Sequence, residues 1–227
     1  MRTLAILPIK SFGAAKQRLS GALAGGARQA LAQAMFQDVM AALRRVPSID
    51  AIAVVTADPI AEDAARGQGV MLLSEPRQNG QSDAAAIGIR HALEAGFERV
   101  LLAPGDTPLL DPAEVEGMLR AAEADAIGLV VVPDRHGTGT NALLLTPPAA
   151  IEPAFGPGSR ARHCELAAAA DVRCRVEEMH SLGVDVDTPE DLAELASRLL
   201  DRRGQASMTR GALRQLDRCH AAPAAVS

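Results

Sequence analysis

Short runs of aliphatic and β-branched residues recur along the chain, separated by longer segments with helical spacing. The runs lie at residues 3–8, 51–56, 70–73, 99–103 and 128–133. Continuous apolar runs of this length are typical of strands whose two faces are both covered. The pattern therefore predicts a buried sheet between layers of helices.

The clearest helical pattern follows the first predicted strand, at residues 27–46. Large apolar side chains repeat there every four residues from Leu31 to Leu43, which predicts a helix with one apolar face. Residues 82–96 and 112–124 show the same spacing. Strands that alternate with helices build βαβ units, so we predict an α/β fold with a mostly parallel central sheet and helices on both faces.

The rhythm changes after residue 134. A loop and an extended segment come first, then a cluster of Gly and Pro at 155–159 and a helix from about Arg160. A further strand is predicted near residues 172–176. We expect this half to form a β-rich insertion on the same sheet.

The last strong helical segment begins near Thr188. Pro189 occupies the first helical position and Asp191 the capping-box position, which are typical of a helix start. The pattern weakens after this helix. We therefore expect a single domain over residues 1–200 and a loosely ordered tail over 201–227.

Charge and composition exclude several classes of partner. The chain has 23 Lys and Arg against 28 Asp and Glu, a formal net charge of -5, which disfavours a general polyanion-binding surface. It has no Trp or Tyr and four Phe, too few aromatic rings for base-stacking platforms. We expect no nucleic-acid partner.

The three cysteines, Cys164, Cys174 and Cys219, have no CxxC spacing and leave an odd count, which is typical of reduced thiols. The apolar run at the N-terminus is too short for a signal peptide, and no segment approaches the length of a membrane span. We expect a soluble cytoplasmic protein with no membrane partner.

In open parallel sheets the ligand lies beyond the carboxyl ends of the strands, so the polar residues after each apolar run are candidates for a site. Lys10, Lys16 and Arg18 follow the first run within nine residues. Three cations beside free backbone N–H groups could hold a triphosphate. A solvated helix face is the alternative, especially for Arg18. The Walker pattern GxxxxGK[ST] is absent, which disfavours a P-loop ATPase.

Carboxylates follow two other extended segments. Asp106 comes just after the buried run at 99–103, and Asp185 and Asp187 alternate along an extended segment, so they point the same way. Magnesium is commonly held by one or two protein carboxylates together with substrate phosphates and water. Asp106 and Asp187 are therefore candidate Mg²⁺ ligands, and a turn residue and a helix-start residue are the alternatives.

Residues 137–142 match the pattern G-x-G-x-x-A of dinucleotide-binding loops. We reject that interpretation because the fingerprint requires a helix directly after the glycines, and an extended segment follows here. A loop of small residues that closes over a ligand fits better, with polar groups from Thr138, Thr140 and Asn141.

Gly158 and Ser159 precede a helix whose first turn contains Arg160, Arg162 and His163. Basic residues at this end oppose the helix dipole, and a bound anion would offset that repulsion. A second phosphate site is one interpretation, and an ordinary Gly-Ser helix start with solvated arginines is the other.

Five segments, LPIKSFGAAKQRL, APGDTPLL, GTGTNALLL, FGPGS and VDVDTPEDL, occur in this order. Together they resemble the guanylyltransferases that make the guanylated phospho-acid precursor of coenzyme F-420 from 2-phospho-L-lactate or phosphoenolpyruvate. The resemblance covers about residues 1–200 and leaves the tail outside.

The resemblance implies a nucleotide-diphospho-sugar-transferase-like fold and Mg²⁺-dependent attack of the acceptor phosphate on the α-phosphorus of GTP. Pyrophosphate would leave. The implied partners are GTP and a small phospho-acid, and the family suggests a homodimer.

The resemblance also implies roles for individual residues. Lys10, Lys16 and Arg18 would grip the triphosphate as catalytic cations; Pro8 and Asp83 would join Lys10 and Lys16 in binding the nucleotide; Asp106 and Asp187 would hold the metal; Thr140, Asn141, Gly156 and Ser159 would bind the acceptor. Asp83 stands where related nucleotidyltransferases carry an asparagine, and its carboxylate could still accept the guanine N1 and N2 hydrogens.

Two alternatives stay open at this point. One is another nucleotidyltransferase of the same fold, acting on the molybdenum cofactor or a sugar phosphate, although the short loop at 155–159 argues against bulky acceptors. The other is a non-catalytic nucleotide-sensing protein.

Overall fold

A single sheet organises the computed structural model, which describes residues 1–13, 16–75, 80–183, 185–201 and 204–221. The strands are β1 (Thr3–Ile9), β2 (Ala51–Thr56), β3 (Met71–Ser74), β4 (Arg99–Leu102), β5 (Leu129–Pro133), β6 (Thr140–Leu145) and β7 (Cys174–Val176). Within the described residues they form one seven-stranded sheet in the order β3-β2-β1-β4-β6-β5-β7.

The pairing is parallel from β3 through β2 and β1 to β4. Strand β6 runs antiparallel to both β4 and β5, and β7 is parallel to β5. The predicted α/β fold with a mostly parallel sheet is confirmed. The strands expected after residue 134 are β6 and β7, and both pair with β5 on the same sheet.

Helices cover both faces of the sheet. They are α1 (Gly25–Leu43), α2 (Pro59–Arg66), α3 (Gln81–Glu94), α4 (Pro112–Ala124), α5 (Ser159–Ala169), α6 (Pro189–Asp201) and α7 (Ser207–Ala221), with a short 3-10 helix at Gln17–Leu19. Among the described residues, no helix combines the length and apolar character needed to cross a membrane.

The alternation of side chains along β1 separates two apolar cores. Ala5 and Leu7 pack with α1, α2 and α4, while Leu4 and Ile6 pack with α3 and α5 on the other face. Helix α3 approaches β1 closely, since a Cβ atom at Gly88 would lie 2.6 Å from Ile6 Cγ2. Both faces of the strand are therefore buried, as the continuous apolar run indicated.

The tail differs from the prediction. Instead of a loosely ordered segment, residues 207–221 form α7, which packs against α1; residues 222–227 lie outside the described residues. The carboxylate of Asp38 on α1 accepts hydrogen bonds from the N–H groups of Met208 and Thr209, at 3.2 and 2.7 Å. It also accepts the Thr209 hydroxyl at 2.6 Å. A carboxylate from another helix thus caps α7.

Apolar packing completes the docking of α7. Leu31 and Met35 of α1 form a third apolar cluster with Leu195 of α6, and the partly buried Leu213 and Leu216 of α7 pack against it. Short amphipathic helices obtain most of their stability from such contacts rather than from propensity. The weak sequence pattern of the tail therefore underestimated its order.

Replacement of Asp38 by alanine should release α7 selectively. We expect a loss of about 1–2 kcal/mol in the free energy of unfolding, because the N–H groups of Met208 and Thr209 lose their acceptor. Urea unfolding and amide hydrogen exchange would measure it. Gln37→Ala, one residue away on α1, is the control, and unchanged exchange of α7 amides in the Asp38→Ala variant would contradict the prediction.

Candidate functional site

A cavity of about 480 Å³ opens beyond the carboxyl ends of β1 and β4. This is the edge at which an open α/β sheet binds ligands, and the volume suits a nucleotide-sized molecule. Seven of the residues singled out in the sequence contribute to its wall: Pro8, Lys10, Lys16, Asp106, Thr140, Asn141 and Asp187. The chain thus brings together side chains that lie up to 179 positions apart in the sequence.

Four predicted site residues are absent from the described residues that line this cavity: Arg18, Asp83, Gly156 and Ser159. Arg18 is exposed on the 3-10 helix, and Asp83 is exposed in the first turn of α3. Helix α3 turns the neighbouring Gln81 into the wall instead, and the buried Glu75 after β3 also contributes. The position of Asp83 outside this wall does not support the predicted contact with the base, which stays a prediction.

The centre of the site is a buried ammonium group. Only 5% of the Lys16 side chain is exposed, and its Nζ contacts Asp106 Oδ2 and lies 3.0 Å from Asp187 Oδ1. Burial alone would lower the pKa of Lys16, but the two carboxylates outweigh burial and raise the pKa above its usual value. Lys16 is therefore charged, and two carboxylates converge on one cation.

A third carboxylate, that of Asp185, lines the same wall. Burial raises the pKa of Asp185, and the negative charges of Asp106 and Asp187 raise it further. The sequence had indicated that Asp185 and Asp187 point the same way, but Asp185 was not among the predicted metal ligands. Negative charge is thus concentrated around Lys16.

The loop that follows β1 is anchored by a residue that the sequence analysis missed. Asp58 accepts the N–H of Phe12 at 2.7 Å and caps α2 through the N–H of Ile60 at 2.8 Å. Burial would raise the pKa of Asp58, but hydrogen bonds from Ser11, Ile60 and Phe12 lower it. An Asp-Pro pair at residues 58–59, separated by one residue from the end of the apolar run at 51–56, was the available signal, since it is typical of a helix start. The anchor holds the loop that carries Lys10.

The segment that carries Asp187 is held by the start of α6. The predicted capping box is present, since Asp191 Oδ2 accepts the N–H of Thr188 at 2.7 Å and Thr188 Oγ1 accepts the N–H of Asp191 at 3.3 Å. Asp191 also accepts the N–H of Asp187 at 3.0 Å and forms an ion pair with Arg135. Arg135 thereby ties the loop before β6 to Asp187.

Asn141 makes a second tie between the same regions. Its Nδ2 donates to the carbonyl of Leu182 at 2.6 Å, just before the segment that contains Asp185. The side chain of Asn141 is buried and still contributes to the cavity wall. Its observed contact is therefore a structural one between β6 and the acidic segment.

Thr140, at the start of β6, connects the cavity to α5. Its Oγ1 lies 3.0 Å from Nδ1 of His163 and 3.1 Å from Oγ of Ser159. Nε2 of His163 accepts the N–H of Ala154 at 2.9 Å. Burial lowers the pKa of His163 to about 4, with a smaller contribution from the charge of Arg162. The ring is therefore neutral near pH 7.

The basic first turn of α5 is arranged differently from the suggested phosphate site. The guanidinium groups of Arg160 and Arg162 donate to backbone carbonyls, at Gly137 for the first and at Ala154 and Pro157 for the second. The first two N–H groups of α5 also donate to backbone carbonyls. These donors close the loop around the helix start, so the ordinary helix start is the better description.

The sheet and the cavity at its carboxyl edge belong to a nucleotide-diphospho-sugar-transferase-like fold. A solved structure of a putative nucleotide-diphospho-sugar transferase from Desulfovibrio desulfuricans G20 superposes with a TM-score of 0.77, at 18% identity and with 96% of each chain covered. At that identity the likeness shows the fold alone.

The model of the family described as "Guanylyl transferase CofC like" matches residues 3–218, and the chain belongs to this family. A phosphoenolpyruvate guanylyltransferase from Conexibacter woesei is 49% identical over 217 residues, covering 95% of this chain and 97% of that protein. A 2-phospho-L-lactate guanylyltransferase from Methanothermobacter thermautotrophicus is 34% identical over 196 residues, covering 86% and 84%. The resemblance seen in the sequence is confirmed, and the match extends into α7.

The depressed pKa of His163 should appear in the pH dependence of stability. The unfolded chain binds a proton near pH 6.5, whereas the folded chain does so near pH 4, so stability falls as the pH decreases between these values. Between pH 7 and pH 5 we expect a loss of about 2 kcal/mol from this residue. Urea unfolding of the wild type and of a His163→Asn variant, which lacks the titrating ring, would measure the difference; identical pH slopes would contradict it.

Proposed function

We propose that this chain transfers GMP from GTP to the phosphate of a small phospho-acid and releases pyrophosphate. Phosphoenolpyruvate is the first acceptor to consider, since the relative of that name shares 49% identity, and 2-phospho-L-lactate is the second, from the relative at 34%. The product would be the guanylated precursor of coenzyme F-420. The observation that carries the proposal is the convergence of Lys16, Asp106 and Asp187 in a nucleotide-sized cavity.

The residues present fit a bound Mg²⁺. Asp106 and Asp187 direct carboxylate oxygens toward the single ammonium of Lys16, so positive charge is already accommodated between them. Carboxylate oxygens are the ligands that Mg²⁺ prefers, and substrate phosphates usually complete its coordination. We propose that Asp106 and Asp187 hold the ion, which would neutralise charge on the triphosphate when bound.

The reaction requires little covalent assistance from the protein. An oxygen of the acceptor phosphate forms a bond to the α-phosphorus of GTP while the bond to the bridging oxygen of pyrophosphate breaks. The attacking phosphate is already ionised near pH 7, so no general base is needed. The enzyme must hold two anions in line and reduce their repulsion, and Lys10 and Lys16 in the cavity wall are suited to that task.

The acceptor would bind at the β6 side of the cavity. Thr140 and Asn141 face the cavity there, and Ser159 lies behind Thr140 within hydrogen-bond distance. Gly156 and Gly158 adopt positive φ angles of 116° and 72°, so they form the tight loop that brings Ser159 to this position. Neutral donors in a small pocket suit a compact phospho-acid better than a bulky acceptor.

A pyrophosphate-release assay would test the proposal directly. The protein would be incubated with Mg²⁺ and GTP plus phosphoenolpyruvate, 2-phospholactate or no acceptor, with ATP and CTP replacing GTP in parallel reactions. We expect release only with GTP and one phospho-acid, together with the corresponding guanylated product by mass spectrometry. Binding of GTP without release in any reaction would contradict catalysis and favour a nucleotide-sensing protein.

Replacement of Asp106 by asparagine should abolish most activity while it preserves the fold. Loss of a metal ligand removes several kcal/mol of charge stabilisation, so we expect turnover to fall about 100-fold or more. Thermal unfolding with and without Mg²⁺ and GTP would show whether ligand-dependent stabilisation is lost as well.

Asp83→Asn is the matched control, since it removes the same charge from an exposed position outside the wall. Its turnover and its preference for GTP should stay near the wild-type values. Near-normal turnover of Asp106→Asn would remove that residue from the metal site. A loss of GTP preference in Asp83→Asn would support the predicted contact between Asp83 and the base.

A further inference from the structure

We propose that His163 is a positioning residue for acceptor binding, because it makes the hydroxyl pair of Thr140 and Ser159 present a hydrogen-bond donor to an anionic group. The assignment of that anion to a phospho-acid rests on the proposed function. The hydrogen-bond arrangement itself rests only on contacts within the protein.

The tautomer of His163 follows from its partners. A backbone N–H can only donate, so Nε2, which lies 2.9 Å from the nitrogen of Ala154, must be the unprotonated acceptor. A neutral ring then carries its hydrogen on Nδ1. That hydrogen points at Oγ1 of Thr140, at 3.0 Å, and Thr140 accepts it. The contact with the Ala154 amide thereby determines that Nδ1 carries the hydrogen and donates it to Thr140.

A count of hydroxyl hydrogens gives the consequence. Thr140 and Ser159 have one hydroxyl hydrogen each, and one of these two links the pair across 3.1 Å. Because Nδ1 of His163 donates to Thr140, neither hydroxyl group has to donate to the ring. The second hydroxyl hydrogen is therefore not used by His163. With the opposite tautomer, Thr140 would have to donate to Nδ1, and both hydrogens would be used inside the cluster. The observed arrangement leaves one donor for a ligand.

The location of the cluster indicates where that donor is used. Thr140 contributes to the cavity wall, whereas Ser159 and His163 are buried behind it, with 1% and 0% of their surface exposed. The Phe155 ring meets the His163 ring edge-on, with centroids 5.3 Å apart. The ring is therefore held in place by an amide, a hydroxyl and an aromatic contact. A ligand meets the hydroxyl of Thr140 and not the imidazole.

Phosphate and carboxylate oxygens accept hydrogen bonds and do not donate them when ionised, so a site for them needs donors. A buried charged histidine would also attract an anion, but burial keeps this ring neutral. The role of His163 is thus orientation of a neutral donor. A purely structural role, in which His163 only secures Ala154 and α5, is the alternative to exclude.

Two substitutions separate the functions of the two ring nitrogens. His163→Asn places an amide donor at the same number of bonds from Cα as Nδ1, so it can serve Thr140 but not Ala154. His163→Gln places a carbonyl near the position of Nε2, so it can serve Ala154 but not Thr140. The exposed Glu165 provides a control on the same helix as Glu165→Gln.

Steady-state kinetics and thermal unfolding of these variants test the proposal. His163→Gln should raise KM for the phospho-acid about 10-fold or more and leave KM for GTP within about 3-fold, as expected when a donor to a charged group is lost. His163→Asn should keep KM for the phospho-acid within about 3-fold and lose more thermal stability. Equal effects of the two variants on KM for the phospho-acid, or equal effects on both substrates, would overturn the proposal.

The tautomer can be measured without any assumption about function. Long-range ¹H–¹⁵N NMR of the wild-type protein labelled in histidine distinguishes a hydrogen on Nδ1 from one on Nε2, and His163→Asn assigns the signal by its loss. We expect a neutral Nδ1-protonated ring at pH 7. An Nε2-protonated or doubly protonated ring would overturn the inference.

If no acceptor supports turnover while the expected tautomer is found, the proposed function fails and the donor arrangement stands, to be tested by titration with inorganic phosphate.

Phosphate should then shift the amide signals of Thr140 and Ser159 in the wild type and bind at least about 10-fold more weakly to His163→Gln. Equal binding to the two proteins would show that the donor does not serve an anion.

Discussion

The ammonium group of Lys16 is the constraint on which the site depends. It joins the loop after β1 to Asp106, 90 residues away, and to Asp187, 171 residues away. Burial of a charge is costly unless its partners are close. The three segments must therefore meet in one arrangement. The same contacts place one positive charge, the ammonium of Lys16, between two carboxylates.

Hydrogen bonds from other parts of the chain hold two of these segments in place. Asp58 secures the loop after β1, and Asp191 secures the backbone around Asp187. Arg135 and Asn141 attach the β6 side of the cavity to that acidic segment. Pre-positioned groups of this kind lower the cost of organising a site when substrate binds. The loop after β1, the acidic segment and the β6 side of the cavity are consequently parts of one connected framework rather than independent loops.

The two sides differ in electrostatic character. Charged groups surround Lys16, where Asp185 adds a third carboxylate, whereas the β6 side offers hydroxyl groups backed by a neutral histidine. In the reaction proposed above, strong charges would suit a triphosphate and its metal, since several negative charges would have to be balanced there. Neutral, oriented donors suit a small acid whose own charge must stay available for attack. The two sides differ because the edge of the sheet brings charged side chains together around Lys16 and hydroxyl groups together beside β6.

Local patterns in the chain were sufficient for the layered fold: continuous apolar runs for the strands, four-residue spacing from Leu31 to Leu43 for α1, and the Thr188 capping box for α6. Polar residues at strand ends also located the cavity, because the carboxyl ends of parallel strands share an edge.

The exposed position of Asp83, the neutral state of His163 and the docking of α7 were not accessible in this way. Each depends on the direction in which a helix faces, or on a partner far away in the chain, such as Asp38 for Thr209. Spacing along a chain records local periodicity, whereas burial, protonation and partner choice arise only when distant segments pack.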